Sequence, residues 1–211
     1  MSLRIEQDRR LRRITLAAPE RRNVLDAALA NELLAEIREA SEDSETGAIL
    51  IEADGPMFCG GLDPVSPPPD ELFAIGQTLD KPIVVAVKGA AVSAGLALIA
   101  NAHIAIAAQG CTFGLIDIRE GRFYPRVVDA VAGAIGRRRA LELALTGRIF
   151  SVAEAVAWGL IHMVAPAFEI DDRAAEIAIN VSRASREAIR DALKSNVLNF
   201  KGQSSAARMI L

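Results

Sequence analysis

The chain is poor in the side chains from which disulfide frameworks and metal sites are built. Its 211 residues include two cysteines, Cys59 and Cys111, and two histidines, His103 and His162. Two thiols make no disulfide framework; they read as free, half-buried thiols in a reducing compartment. Neither pair has the close spacing of zinc ligands. His103, at a strand start, and His162, after a helix end, read as structural. Lysine is scarce, with four against 20 arginines, and acidic residues (27) outnumber basic ones (24), for a net charge of −3. That balance excludes the basic surplus of a nucleic-acid binder. No HExxH, paired CxxC, Walker loop or GxSxG is present. Met1–Arg13 is charged rather than apolar, so no leader is expected and the protein is placed in the cytoplasm. A single window, Gly89–Ala108, is apolar enough and long enough to invite a membrane reading. It is mostly alanine and is interrupted by Ser93, Gly95, Asn101 and His103. A buried helix followed by a buried strand is expected there.

What remains is a chain that is 51% hydrophobic, long enough for one domain with a small appendage. A chain of this size buries about 70% of its unfolded surface. Leu3–Ala17 predicts two strands about a turn at Asp8-Arg9-Arg10. Asp26 is placed to cap a helix, whose core face is Leu29, Leu33, Ile37 and Ala40. Ala48–Ala53 and Pro82–Val87 read as buried strands, and the 54–80 stretch between them as a long, functional loop. A buried helix is expected over Ala94–Ala102 and a strand over His103–Ala108. A further helix is expected over Gly136–Leu145, stopping at Gly147. Ser151-Val152-Ala153-Glu154 has the pattern of a capping box and opens a helix ending near Gly159. From Asp171 onward the pattern is helical and amphipathic. Strands alternating with helices predict an α/β fold.

Two turns carry the chemistry. Met57-Phe58-Cys59-Gly60-Gly61-Leu62-Asp63 follows a strand, and Lys88-Gly89-Ala90-Ala91-Val92-Ser93-Ala94-Gly95 joins a strand to a helix. Small residues let backbone N–H groups approach a ligand. Two N–H groups aimed at one oxygen make an oxyanion hole, and a helix start adds its positive dipole end. Cys59 has no nearby histidine to activate it as a nucleophile.

These turns, in this order, resemble the enoyl-CoA hydratase/isomerase (crotonase) superfamily. Pro19-Glu20-Arg21-Arg22-Asn23-Val24-Leu25 is similar to PEKRNAL, and Phe58–Asp63 to FCAGADL. Lys81–Gly89 resembles KPVIAAVNG, and Phe113-Gly114-Leu115-Ile116-Asp117-Ile118 resembles FGLPEV. Leu141–Gly147 and Ser151–Ile161 resemble LELLLTG and SAEEALRLGLV. The likeness covers roughly residues 3 to 195. It implies a crotonase-like spiral of ββα units over residues 1–165, with a shortened carboxyl-terminal α-helical region over 166–211. It further implies an acyl-CoA thioester as substrate, no metal, no cofactor beyond the CoA of the substrate, no nucleic-acid or membrane partner, and a homotrimer or dimer of trimers.

By the same resemblance, Gly60 and Ala94 supply the oxyanion N–H groups. Arg22 and Val24 contact CoA, while Gly61, Leu62, Asp63 and Gly95 line the ligand-binding turns. Of the two glutamates of family hydratases, the first falls at Ala97 and the second at Asp117. One acid suits a 3-enoyl to 2-enoyl shift, which moves a single proton between C4 and C2, better than hydration. A catalytically degenerate acyl-CoA binder is the alternative. Arg119, Glu120 and the Arg137-Arg138-Arg139 run read as surface charges. The aromatics of Arg122-Phe123-Tyr124-Pro125 either narrow the pocket or pack in the core.

Overall fold

A computed structural model describes residues 2–195; residues 196–211 of the expected carboxyl-terminal region lie outside it. The amino-terminal hairpin pairs β1 (Leu3–Asp8) with β2 (Leu11–Leu16), antiparallel about the predicted turn. Helix α1 (Ala27–Glu42) starts where Asp26 caps it, the carboxylate accepting from Leu29 N–H at 2.8 Å. Its buried face includes Leu29, Leu33, Ile37 and Ala40.

From here the chain winds with a period of two strands. The first strand of each turn joins a large sheet: β3 (Ala48–Ala53), β5 (Ile83–Val87) and β7 (Ile104–Ala108). The second joins a small one: β4 (Met57–Cys59), β6 (Ala90–Val92) and β8 (Thr112–Gly114). The large sheet runs β1-β2-β3-β5-β7-β10 and the small one β4-β6-β8-β9, where β9 is Ile149–Ser151 and β10 is Met163–Ala165. The spiral follows from composition. Strand β5 is a continuous apolar run and β3 is one except for Glu52, which pairs with Arg13 at 3.0 Å; both are wholly buried, as parallel strands covered on both faces must be.

Helix α2 (Ala94–Asn101) is almost entirely buried. The Gly89–Ala108 window is therefore β6, α2 and β7, and no described helix is long and apolar enough to cross a membrane. Helices α3 (Pro125–Ile135) and α4 (Arg137–Thr146) meet at Gly136. The capping box is closed at α5 (Val152–Ala157). Helix α6 (Ile170–Ser182) lies against β2, β3, β5 and β7, and a further helical segment covers 186–195. The expected 54–80 loop is not a loop throughout. It contains β4 and a 3-10 segment, Asp70–Gln77, which buries Leu72, Phe73 and Ile75. Three-residue strands leave too short a period to read from sequence.

Both histidines serve the large sheet. His103 Nδ1 accepts from Ile83 N–H at 2.9 Å, and its Nε2 lies 3.0 Å from the Gly76 carbonyl, which assigns the proton to Nε2. His162 Nδ1 accepts from Ala105 N–H at 3.0 Å. Burial holds the His103 pKa below its ordinary value, against the pull of the Gly76 carbonyl. A base whose folded pKa is depressed loses stability as pH falls from its unfolded value, about 6.5, toward the folded one. Urea unfolding at pH 7.5 and pH 5 should therefore show a loss of stability on acidification. His103→Gln, less stable at pH 7.5, should show a smaller drop between the two; an equal drop would place the proton uptake elsewhere.

Candidate active site

The two turns singled out in the sequence meet at one edge of the small sheet. They line a cleft of about 330 Å³ together with the start of the Asp117–Glu120 3-10 turn. Arg22, Val24, Gly60, Gly61, Leu62, Asp63 and Asp117 border it, joined by Ser93, Ile116, Glu120, Arg122 and Tyr124.

Asn23 sets the first wall. Its side chain is buried; Oδ1 accepts from Ala18 N–H at 2.9 Å, and Nδ2 donates to the Asp54 and Met57 carbonyls, each at 2.9 Å. Arg22 and Asn23 both take positive φ (57° and 51°). This fold of the chain lays Leu25 alongside Leu62 in an isolated parallel bridge. Asn23→Ala strands one buried N–H and two carbonyls. It should cost about 2–4 kcal/mol of stability in denaturant unfolding and weaken ligand binding to the cleft. A stability within 0.5 kcal/mol, the scale of an ordinary surface change, would refute the anchoring role.

Hydrogen bonding corrects one expectation. The Gly60 N–H is already spent, donating to the Arg22 carbonyl at 2.8 Å. Leu62 is the free donor of that turn. The Gly61 carbonyl accepts from Leu25 N–H at 2.9 Å, and no peptide bond is cis. Across a trans peptide, N–H points opposite to C=O, so the Leu62 N–H points away from Leu25. The same reasoning applies at α2. The Ser93 carbonyl accepts from Leu96 and Ala97 N–H inside the helix, which turns the Ala94 N–H outward from the helix start. Neither N–H donates to a protein acceptor among the described residues.

Gly95 also differs from expectation. A Cβ there would stand 2.7 Å from Cys59 Cβ and 2.9 Å from its carbonyl oxygen. Gly95 lets α2 approach β4 and does not itself line the cleft. Asp63 Oδ1 accepts from Val65 N–H at 2.8 Å and Ser66 N–H at 3.4 Å, so its carboxylate holds its own turn. Cys59 is fully buried, and burial pushes its thiol up to about 12, which leaves no thiolate for chemistry.

Asp117 is half-buried at the wall of the cleft. Burial raises its carboxyl above the usual range; the nearby Ser93 hydroxyl draws it down, Glu120 adds to the rise and Arg122 opposes it. Ser93 Oγ is itself buried and closes no hydrogen bond of good geometry, although it lies near enough to the carboxyl to draw its pKa down. Ser93 has φ 50° and ψ −117°, a backbone state costing a serine about 1–3 kcal/mol. Glu120 pairs with Arg122 at the rim, and Arg21 with Asp26 at 3.0 Å, while Arg22 is exposed beside the cleft. Tyr124 lines the cleft, its phenol pushed up chiefly by burial; Phe123 points to solvent. The Arg137–Arg139 run opens α4, where Arg139 lies 4.7 Å over Trp158. A second cavity, about 410 Å³ between α2, α3 and the 186–195 helix, holds both histidines and no carboxylate. Sequence reasoning assigns no role to Ser93, whose signal is a hydroxyl inside a turn of small residues; of the two roles expected of the Phe123-Tyr124 aromatics, Tyr124 takes the pocket and Phe123 neither.

The family model described as enoyl-CoA hydratase/isomerase matches residues 6–209. The chain belongs to this family. Among curated members, the mitochondrial enoyl-CoA hydratase domain-containing protein 3 of Rattus norvegicus is 31% identical, over 85% of this chain and 64% of its own. The chain thus spans less than two thirds of that relative. A probable enoyl-CoA hydratase of Mycobacterium tuberculosis is also 31% identical, over 98% of this chain and 84% of its own. The crystal structure of an enoyl-CoA hydratase from Mycobacterium avium superposes with a TM-score of 0.86 at 28% identity, covering 98% of this chain and 92% of that one. The ββα spiral is therefore the crotonase fold of this enoyl-CoA hydratase/isomerase family, and its carboxyl-terminal side is helical.

Proposed function

We propose that the cleft binds an acyl-CoA thioester and stabilises its enolate. The Leu62 and Ala94 N–H groups receive the thioester oxygen, and Asp117 moves the proton. The observation that carries this reading is a cleft bordered by Leu62, Ser93 and Asp117, in which Leu62 has an unspent N–H, Asp117 a carboxyl of raised pKa, and the residue that follows Ser93, Ala94, a second unspent N–H at the start of α2. An enolate oxygen gains more from fixed donors than the ground-state carbonyl does, and that difference lowers the barrier. A carboxyl held above its usual range is a better match to proton transfer near neutral pH. Arg22, exposed at the rim, is the cation for a CoA phosphate.

Asp117 favours isomerisation over hydration. Ala97, at the position of the family's first glutamate, is a fully buried methyl on α2 and offers nothing to a water. A 3-enoyl-CoA needs one base to take a proton from C2 and return it at C4, or the reverse. The same Ala97 favours a second reading, a binder that has lost the reaction. Proton NMR of the protein with a 3-enoyl-CoA and, separately, a 2-enoyl-CoA separates them. Migration of the double bond without a new C3 hydroxyl is the expected result. A C3 hydroxyl would mean hydration, and broadened CoA resonances without conversion would mean a binding module.

Assembly as a homotrimer or dimer of trimers is part of this proposal. Leu141 and Leu145 on α4, Ile149 on edge strand β9 and Val156 on α5 are each more than 40% exposed. Apolar groups of this size on neighbouring elements are suited to burial between copies.

A further inference from the structure

We propose that Ser93 is a nucleophile toward the thioester carbonyl, so that the cleft also forms an acyl-serine and hydrolyses acyl-CoA. This rests on thioester binding in the cleft, and not on the enolate chemistry.

Four observations meet at this residue. Ser93 is a one-residue turn between β6 and α2, at φ 50° and ψ −117°. Glycine adopts that conformation at ease and serine does not, so the hydroxyl is kept against the backbone's preference. Its Oγ is buried, borders the cleft and has no hydrogen-bond partner. Among the described residues the other buried hydroxyls are all bonded: Thr15 Oγ1 to Glu52 at 3.2 Å, Thr46 Oγ1 to Asp43 at 2.6 Å and Ser182 Oγ to the Ile179 carbonyl at 2.8 Å. Buried polar groups without partners are rare, and each calls for a reason.

The third observation is the elbow itself. A serine on a strained strand-to-helix turn, with the N–H of the following residue as one oxyanion donor and an N–H from another loop as the second, is the arrangement of a nucleophile elbow. Here those donors are Ala94 and Leu62. Ala91-Val92-Ser93-Ala94-Gly95 departs from G-x-S-x-G only at Ala91, whose methyl is fully buried. At the other end, Gly95 is imposed by contact with Cys59. Gly61 faces Ser93 across the cleft, where a Cβ would stand 3.5 Å from Ser93 Cβ.

The fourth is the base. Of the cleft carboxylates, Asp63 holds its own turn and Glu120 pairs with Arg122. Asp117 is left, beside the Ser93 hydroxyl. The histidines cannot serve, being bonded to Ile83 and Ala105. Ser93 Oγ attacks the carbonyl carbon while Asp117 takes the hydroxyl proton. The C–S bond then breaks, and the proton passes to the leaving sulfur as free CoA. Water, activated by Asp117, cleaves the ester, returns the proton to Ser93 and releases the acid. The sum is thioester plus water giving acid plus CoA thiol.

A saturated thioester, butyryl-CoA, has no double bond to move and isolates this step. Thiol release is followed with a thiol reagent, and a fluorophosphonate probe reports a reactive serine by mass and peptide mapping. CoA line broadening reports binding in parallel. Expected are steady thiol release, a phosphonyl adduct on Ser93, and loss of both in Ser93→Gly. The variant relieves the backbone, so it should keep its fold and its CoA binding while release falls at least on the order of 100-fold. Binding without thiol release and without adduct overturns the nucleophile and leaves thioester binding standing. Release that persists in Ser93→Gly overturns it as well. No binding of butyryl-CoA overturns both.

Discussion

Asp117→Asn should cut double-bond migration on the order of 10²–10⁴-fold while leaving CoA-thioester affinity within a few-fold of the parent. The amide keeps the shape of the carboxyl and cannot accept the C2 proton. The same change should raise thermal stability at neutral pH. The Asp117 carboxyl has a folded pKa above its ordinary value, chiefly through burial. A carboxyl raised in this way binds its proton more tightly when folded. Stability is then highest below the unfolded pKa, about 3.9, and falls as pH rises through the folded value. Asparagine removes that penalty. Melting curves should show Asp117→Asn above the parent at pH 7, with the gap closing toward pH 4. The parent's rate should rise with pH through an acid limb set above the usual carboxylate range, since the base must be ionised. A variant that keeps its isomerase rate would move the base to another residue. One that loses rate together with CoA binding would make Asp117 a binding group.

Gly95→Ala should be nearly as damaging without touching any reacting group. Its methyl would lie 2.7 Å from Cys59 Cβ, against an optimal carbon–carbon distance of about 3.5–4.0 Å. Cys59 is fully buried in β4 and has nowhere to go. The start of α2 must then lift by roughly 1 Å, which carries the Ala94 N–H away from the Leu62 N–H. Misplacement on that scale costs about 100-fold in rate, and overpacking about 1–3 kcal/mol in stability. The expected signature is a depressed kcat with a smaller change in KM. An unchanged kcat with lowered stability would mean that α2 deforms elsewhere and the donor pair stays intact.

How much of this was readable in advance depended on how local its cause is. The α1 cap at Asp26, the capping box at Ser151 and the stop at Gly147 were legible because each is closed within four residues. Strand β5, strand β3 with its single Glu52, and helix α2 were legible as largely apolar runs long enough to show their class. The residues that border the cleft were also legible as a group, through six motifs in family register. Helix α3 was not anticipated. Its Pro125 sits at the first turn, and its stripe of Val127, Ala130, Val131 and Ile135 was hidden among small residues.

The sequence by itself determined the composition of the core, the local stops and caps, and which side chains reach the cleft. Only the tertiary structure decided which backbone groups are free. Gly60 and Leu62 stand two residues apart in one turn, and nothing in their identity separates them as donors. The Arg22 carbonyl, 38 positions from Gly60, takes up one N–H; Leu25, bridged to Leu62, orients the other. Nor does a serine among small residues announce its strain. Ser93 bears it because β6 must end, and α2 begin, within one residue of a sheet that Cys59 and Gly95 hold in contact. Hydrogen-bond occupancy and backbone strain belong to pairs of segments distant in sequence, and such pairs exist only once the chain has folded.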